Sequence, residues 1–377
     1  MNKTVRNIKK IFPDESESIE KFFSFLQTDD YFYLFGHLRN KLFVELLNEF
    51  FKDNKLKAAL SILLGNIGLS AEKASALAGV ALYREFILDG GYYPVGGNQG
   101  FADSLNKLFC TLGGKTLLSR EAIKIVKNYN KVKGVILSNG EQIEARFVVS
   151  NIDAIYTFKK LLNCKKKDVI SKLNKLKLSP SSFVVYLGLN VDLKKLLKNY
   201  CVTWKFSTYN INSCYSDTKN IIDDNILKYI VCSFPSLHDH TLAPRGKSIV
   251  ELFLLAPFKN KKFWDLHKEK IAHKMIKKAE EVIPNLSRHI EVKEIATPYT
   301  FYRYTGNSRG AIYGWESSPS QIDKTIMPTE TYVEGLYLAG HWTTNGFGQG
   351  GIASVSYAGR HAAEMILTKA KINLIKK

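Results

Sequence analysis

Cysteine, arginine and long apolar runs are all in short supply in this chain. Its five cysteines, Cys110, Cys164, Cys201, Cys214 and Cys232, are odd in number and never form a CxxC pair. That argues against a disulfide framework and against a cysteine-based zinc site, and it fits a reducing, cytoplasmic setting. The opening stretch MNKTVRNIKKIFPDE is charged and has no apolar h-region, so it does not read as a signal peptide. Nothing approaches the ~18–20 uninterrupted apolar residues of a spanning helix. The nearest stretch, AALSILLGNIGLSA at 58–71, is too short and contains two glycines. It reads as a buried core helix, with a membrane-dipping segment as the alternative.

What is present is a chain of 377 residues, 45% hydrophobic and 24% charged, which is ordinary for a globular protein with a sizeable core. The formal net charge is +19. The excess is mostly lysine spread along the chain, whereas arginine is the residue suited to bidentate phosphate and base contacts. No nucleic-acid-binding signature accompanies it, so nucleic acid is not expected as a partner. The densest cluster, Lys165–Lys167 with Lys172, Lys175 and Lys177, has helical spacing. It is either a solvated helix face or a surface attracted to anionic lipid.

Residues 14–88 read as helices. Asp14 and Glu17 suggest a capping box ahead of Ile19, Phe22, Phe23 and Leu26 at helical spacing. Ser70 is the expected N-cap of a second helix through Leu77, Val80, Leu82 and Phe86. The glycine-rich DGGYYPVGGNQG at 89–100 breaks the pattern. A helix over Phe101–Phe109 follows and ends at Gly113-Gly114. KTLLS, AIKIVKN, KVKGVILSNG and EQIEARFVVSN read as short strands, with a hairpin turn at Ser138–Gly140. ARFVVSN reads as a strand buried on both faces of a parallel sheet. SSFVVYLGL, LKYIVCSF, SIVELFLLAP and HIEVKEIATP read as further strands, with a helix from about Lys261 to Val282.

The chain closes with LAGHWTTNGFGQGGIASVSYAGR, from Leu338 to Arg360. A strand ending at Gly340 puts that glycine at the carboxyl edge of a sheet, where α/β folds bind ligands. Gly348, Gly350 and Gly351 lack a Cβ, so backbone can approach a planar or phosphorylated ligand. A helix from about Gly351 to Ala370 would point its free N–H groups at that ligand, burying Ile352, Val355, Ala358, Ala362 and Ile366 on the sheet. A tight turn with close helix–sheet packing gives a similar string. His238-Asp239-His240 reads as a polar loop rather than a metal site, and no metal is expected. Tyr299, Phe301, Tyr302, Tyr304, Tyr313 and Trp315 are either core or a wall for a long apolar substrate.

GLYLAGHWTTNGFGQGGIASVSYAGRHAAEMIL resembles the C-terminal flavin signature of FAD-dependent oxidoreductases related to phytoene desaturase, carotenoid isomerase and retinol saturase. FPDESESIEKFF, GGYYPVGGNQGFADSL, EAIKIVKNYNKVKGVILSNGEQIEARFVVSN, LAPRGKSIVELFLLAPF and ATPYTFYRYTGNSRGAIYGWESSPSQ resemble the same family in the same order. The resemblance covers nearly the whole chain.

It implies an α/β fold: an FAD-binding, Rossmann-like parallel sheet with an inserted mixed α+β substrate domain and a helical cap. The implied division is a cap at 1–88, FAD-binding parts at 89–158 and 310–377, and a substrate domain at 159–309. It implies FAD as cofactor, with Gly340 and His341 near the ribityl and pyrophosphate. Gly350, Gly351 and Ile352 would face the ring edge and its pyrophosphate side. Ala122 would present backbone to the adenine, where the family more often has valine. The implied reaction is desaturation, saturation or isomerisation of an isoprenoid-like substrate drawn from a membrane, with the flavin carrying the hydride chemistry.

The sequence departs from the family in having no GxGxxG between a strand and a helix. By family order two central strands are missing from the sheet, and KTLLS and ARFVVSN would flank the gap. Three expectations follow. The chain is one half of a split enzyme whose partner chain supplies the unit, or a truncated product, or another segment fills the slot. A fragment of this kind would bind no FAD alone.

Overall fold

The structure, a computed structural model, describes residues 2–197, 202–217, 221–222, 227–322, 326–343 and 351–375. Its amino-terminal part is a helical cap. Helices Asn2–Ile11, Ser16–Leu26, Tyr31–Leu38, Phe43–Phe50, Asn54–Ser61 and Ala76–Tyr83 surround one apolar cluster. Ile19, Phe22, Phe23 and Leu26 form the buried stripe expected from their spacing. Stretch 58–71 is helical through Ser61, continues as a 3₁₀ turn over Ile62–Ile67, and is largely buried.

Two expected caps are replaced. Helix Ser16–Leu26 begins after Glu15 without a side-chain cap. The Glu15 carboxylate instead accepts the Lys52 and Asp53 N–H groups at 2.7 and 2.8 Å. Helix Ala76–Tyr83 is capped by Ser75, whose Oγ accepts the Leu77 N–H at 3.2 Å. Ser70 donates to Asn212 Oδ1 at 2.9 Å. At Ser70 a tertiary contact takes the polar group that local pattern assigned to a helix end, whereas at helix Ser16–Leu26 the expected Asp14–Glu17 box gives way to a start at Glu15.

Three sheets follow. Strands β1 (Ala122–Asn128), β2 (Lys131–Leu137) and β3 (Gln142–Glu144) form an antiparallel meander. The expected hairpin turn is present, with the Gly140 N–H donating to Leu137 O at 2.9 Å. Strands β5 (Ser181–Leu189), β6 (Val202–Phe206), β7 (Tyr229–Ser233), β8 (Ser248–Ala256) and β9 (Ile290–Ala296) form an antiparallel sheet in the order β6-β7-β8-β5-β9. Four of these were expected. The fifth, β6, alternates apolar and polar residues in VTWKF, a signal the sequence reading passed over. Phe183, Val185 and Leu187 with Val250, Leu252 and Leu254 fill the core beneath helix Lys261–Ala279, which buries Trp264, Ile271 and Met275.

The remaining sheet is a parallel pair, β4 (Val148–Ser150) with β10 (Leu336–Leu338), in register Val148 to Leu336. Two expectations fail here. KTLLS at 115–119 is not a strand, and Leu117 and Leu118 stand exposed. ARFVVSN is extended only over β4, and Val149 is exposed rather than buried on both faces. A parallel strand holds its form only where a neighbour pairs with it and layers cover it, and here the pairing stops at two strands.

Phe22 is fully buried and meets Phe23, Phe50, Phe51 and Tyr83 edge-on at centroid distances of 5.3–5.7 Å. Phe22→Ala should lower stability by about 3–5 kcal/mol, seen as a lower urea midpoint at unchanged slope. A loss well under 1 kcal/mol, or about a tenth of a typical domain's stability, would contradict this packing.

Candidate functional site

The carboxyl ends of β4 and β10 lie side by side, as the parallel register requires. Each strand ends in a turn that defines one side of the corner. After β10 the backbone turns at Gly340, with φ +73°, into a 3₁₀ turn over Gly340–Trp342. A Cβ on Gly340 would stand 2.1 Å from Asn151 Oδ1, so glycine is required both by its backbone and by the close approach of the other strand's end.

After β4, Asp153 is fully buried and joins three segments. Its Oδ1 accepts the Tyr156 N–H at 2.9 Å and starts the helical turn Ala154–Tyr156. Its Oδ2 accepts the Ser308 N–H at 2.5 Å. Its carbonyl accepts the Thr157 hydroxyl at 2.9 Å, and that hydroxyl also bonds Ser150 Oγ on β4 at 2.7 Å.

His341 is half-buried beside the Trp342 ring, at 5.3 Å and 68°. It lies against Gly314, where an added Cβ would come within 2.8 Å of His341 Cδ2. Burial holds its pKa below the ordinary histidine value, and the Asp153 carboxylate opposes part of that shift. Trp342 and Trp315 meet edge-on at 5.0 Å, and Trp315 Nε1 donates to the Trp342 carbonyl at 3.0 Å.

Gly348 and Gly350 lie outside the described residues. Gly351 precedes helix Ile352–Ile375, has φ +83°, and has open space where a Cβ would stand. Ala358 and Ala362 are buried, and Ala362 packs with Tyr337 and Ala339 of the β10 segment. Ile352 is exposed, against the expectation that it packs on the sheet. The positive dipole end of a 24-residue helix therefore begins directly after a glycine of left-handed backbone. Ala122 is the first residue of β1 and pairs with Leu137. Its neighbour Glu121 accepts the Tyr156 hydroxyl at 3.3 Å, which ties that strand to the Asp153 turn.

Open backbone at Gly351, a helix N-terminus, and two strand ends meeting at Gly340 and Asn151 fit one flank of a flavin dinucleotide. Of the residues singled out in the sequence, Gly340 and His341 lie where β10 ends and Gly351 directly precedes the closing helix. Asn151, Asp153, Gly314 and the tryptophan pair, which pack around them, were not singled out. Only Asp153 carried a local signal, as a helix-capping residue directly after a strand.

The aromatic stretch divides. Trp315 is core, whereas Tyr302 and Tyr304 are exposed, with Tyr302 edge-on to Phe258 at 5.7 Å. His238 stacks on Tyr93 at 5.6 Å. Asp239 accepts the Gly96 N–H at 2.6 Å and so holds the start of helix Gly97–Thr111. The 238–240 stretch is a link in which an extended Asp239 joins the end of one short helical turn, Pro235–His238, to the start of another, His240–Leu242. Among the described residues no group of three or more His, Cys, Asp or Glu side chains could hold a metal ion. No described helix is long and apolar enough to cross a membrane. On the five-stranded antiparallel sheet, Glu251 faces Tyr186 across β8 and β5, and burial pushes its carboxyl above the ordinary carboxylate range.

The family model described as flavin containing amine oxidoreductase matches residues 34–367, and the chain belongs to that family. Among curated proteins it is 24% identical over 325 residues to a 4,4'-diaponeurosporene oxygenase of Staphylococcus haemolyticus (strain JCSC1435), covering 85% of this chain and 63% of that protein. It is 26% identical over 336 residues to a zeta-carotene-forming phytoene desaturase of Myxococcus xanthus, covering 86% and 62% respectively. The chain thus spans less than two thirds of the length of these relatives. Among solved structures, an oxidoreductase from Methanosarcina mazei superposes with a TM-score of 0.60 at 16% identity, covering 86% of this chain and 68% of that one.

Two measurements test the corner. Gly340→Ala should cost about 1–3 kcal/mol from the left-handed backbone together with the Asn151 contact. Adding Asn151→Ala should return part of that loss, leaving the backbone share, as a double-mutant cycle in urea will read. For His341, the unfolded chain protonates near 6.5 and the folded chain at lower pH. Stability tied to the neutral ring is complete above 6.5 and is lost as pH falls below it. His341→Gln should therefore flatten the stability difference between about pH 7.5 and about pH 5.5; an unchanged difference would mean that the ring is solvated.

Proposed function

We propose that this chain is part of an FAD-dependent oxidoreductase that desaturates, saturates or isomerises C–C bonds of a carotenoid- or isoprenoid-like apolar substrate. The observation that carries the reading is the corner where β10 ends at Gly340 and helix Ile352–Ile375 begins at the open Gly351. The carotenoid chemistry named for the two curated relatives supports the choice of substrate class. Bound FAD would supply hydride transfer to or from a C–C bond.

The chain's own residues would bind and orient. In this reading Gly340, His341, Gly350, Gly351 and Ile352 line the flavin, and the Ala122 backbone meets the adenine. A half-buried, neutral His341 would pack beside the cofactor rather than exchange protons with it. The Phe258–Tyr302 edge and the helical cap would border a lipophilic path. The division into a cap at 1–88, flavin-binding parts at 89–158 and 310–377, and a substrate domain at 159–309 belongs to this reading. So does substrate uptake at a membrane surface, which the net charge of +19 would favour.

A second reading is that the chain binds no FAD alone and works only with a partner chain. The two-stranded parallel pair with its exposed Val149 favours it. The deciding experiment adds FAD to the purified chain, removes the excess by desalting and records the visible spectrum. The sample is then mixed anaerobically with a polyene in liposomes. A retained, shifted flavin band that bleaches with the polyene is the expected result for the first reading. A colourless protein removes catalysis by this chain alone and leaves the second. Bleaching by an alkylamine and not by the polyene would overturn the substrate class.

A further inference from the structure

The five-stranded sheet carries one polar row between two apolar ones. Residues opposite one another on antiparallel strands share a face. Helix Lys261–Ala279 covers the Phe183 face through Trp264, at 5.6 Å between rings. On the other face, one row runs Val202, Ser233, Glu251, Tyr186 and Glu294 across all five strands. The next row is apolar, with Trp204, Val231, Phe253, Val184 and Ala296. The cap closes over it, since a Cβ on Gly65 would stand 2.1 Å from the Trp204 ring. On the far side of the polar row come Ile249, Gly188 and Val292, again without a polar side chain. Exposure rises across the three rows, from 9% at Val184 through 39% at Tyr186 to 57% at Val292. Glu251 is thus an acid set between apolar rows, where the cover of the cap runs out.

Glu251 is half-buried and, among the described residues, takes no hydrogen bond and no ion pair. Burial raises the pKa of its carboxyl, and no cation offsets the shift. Tyr186 stands directly opposite, its own pKa raised by burial and by the Glu251 charge. Tyr93 arrives from the glycine-rich 89–100 segment, stacked on His238. Burial, then the Glu251 and Asp239 charges, raise its pKa as well, so both phenols lie within electrostatic reach of the one carboxyl. Neither phenol makes a hydrogen bond among the described residues. Asp239 differs, because its oxygens are taken up by the Gly96 and Thr241 N–H groups. A half-buried acid without a partner works against folding, where an apolar side chain of its size would not. Such a departure from packing logic marks a place where a group from outside the chain is met.

We propose that Glu251, Tyr186 and Tyr93 form a subsite for the hydroxyl group of an otherwise apolar ligand. The ligand hydroxyl donates its hydrogen to the Glu251 carboxyl, and its oxygen accepts from a tyrosine hydroxyl. The apolar rows on either side meet the hydrocarbon part. A pure hydrocarbon would leave the carboxyl as unpaired as before. An ammonium brings donors only, and a chain of net charge +19 repels a cation at long range. An alcohol, with one donor and one acceptor site, satisfies the acid and a phenol together. The proposal rests on the first functional reading and deepens it, by naming the polar group of the substrate and giving Glu251 a part in specificity rather than in the redox step.

The test uses the whole chain without FAD and probes that share one isoprenoid tail: geranylgeraniol, its methyl ether, the matching primary amine and the parent hydrocarbon. Affinities are read by calorimetry. The alcohol is expected to bind about tenfold more tightly than the ether or the hydrocarbon. Glu251→Leu should erase that preference while holding or raising the urea midpoint, because it removes an unpaired acid without unpacking the sheet. Glu251→Gln still accepts a hydrogen bond and should keep most of the preference. The subsite is overturned by equal affinity for alcohol and hydrocarbon, by a preference that survives Glu251→Leu, by tighter binding of the amine than of the alcohol, or by failure of every probe to bind. A lower urea midpoint in Glu251→Leu would overturn it too, since the acid would then be structural. Flavin takes no part, so a preference for the alcohol stands even if the chain binds no FAD. Conversely, a flavin band that bleaches with a hydrocarbon polyene, without any preference for the alcohol, removes the subsite and leaves the flavin reading.

Discussion

Three residues of β10 lie parallel to three residues of β4, and the carboxyl-terminal part of the chain is joined to its middle through that pairing. A parallel pair cannot be closed by a hairpin, so everything between the two strands, including the five-stranded sheet and its covering helix, is carried as a long excursion that must return in register. The junction is secured at its ends rather than along its length. Asn151 fills the space beside Gly340, and Asp153 bonds both its own helical turn and Ser308 at the far end of the excursion. The candidate site follows from this arrangement, because the two strand ends are brought to one corner and helix Ile352–Ile375 packs through Ala362 on the β10 segment.

The excursion and the cap are complete in a way that the junction is not. The five-stranded sheet buries alternate residues of β5 and β8 under Trp264 and Ile271, and the cap closes around Phe22 and Phe43. Both have cores on the scale of ordinary domains. The part around β4 and β10 has a smaller cluster around Trp315, Trp342 and Leu336, and helix Gly97–Thr111 leaves its apolar side facing water. Uneven closure of this kind is a physical statement about which surfaces are ready to take a further layer.

Chemistry at the corner is limited by its electrostatics. His341 is biased toward its neutral form by burial, with Asp153 opposing only part of that bias. Asp153 spends its hydrogen-bonding capacity on backbone N–H groups, so its role is to hold the loops. Backbone and glycine dominate what remains, which suits binding and orientation of a group that brings its own reactivity.

Local sequence determined much of this protein. The spacing of Ile19, Phe22, Phe23 and Leu26, the alternation in SSFVVYLGL and SIVELFLLAP, and the strand and helix of the closing motif were all legible, because hydrophobic period is a property of short segments. Tertiary structure decided the rest. It gave the helix cap to Ser75 instead of Ser70 and turned Glu15 toward residues 52 and 53, because a polar group bonds whatever packing brings nearest. It brought Asn151 and Asp153 together with Gly314 from two distant stretches, a meeting no local window could anticipate. It also left KTLLS without strand structure and Val149 exposed. Their apolar pattern specifies burial, but burial requires a neighbour, and whether a neighbour is present is not a property of the segment itself.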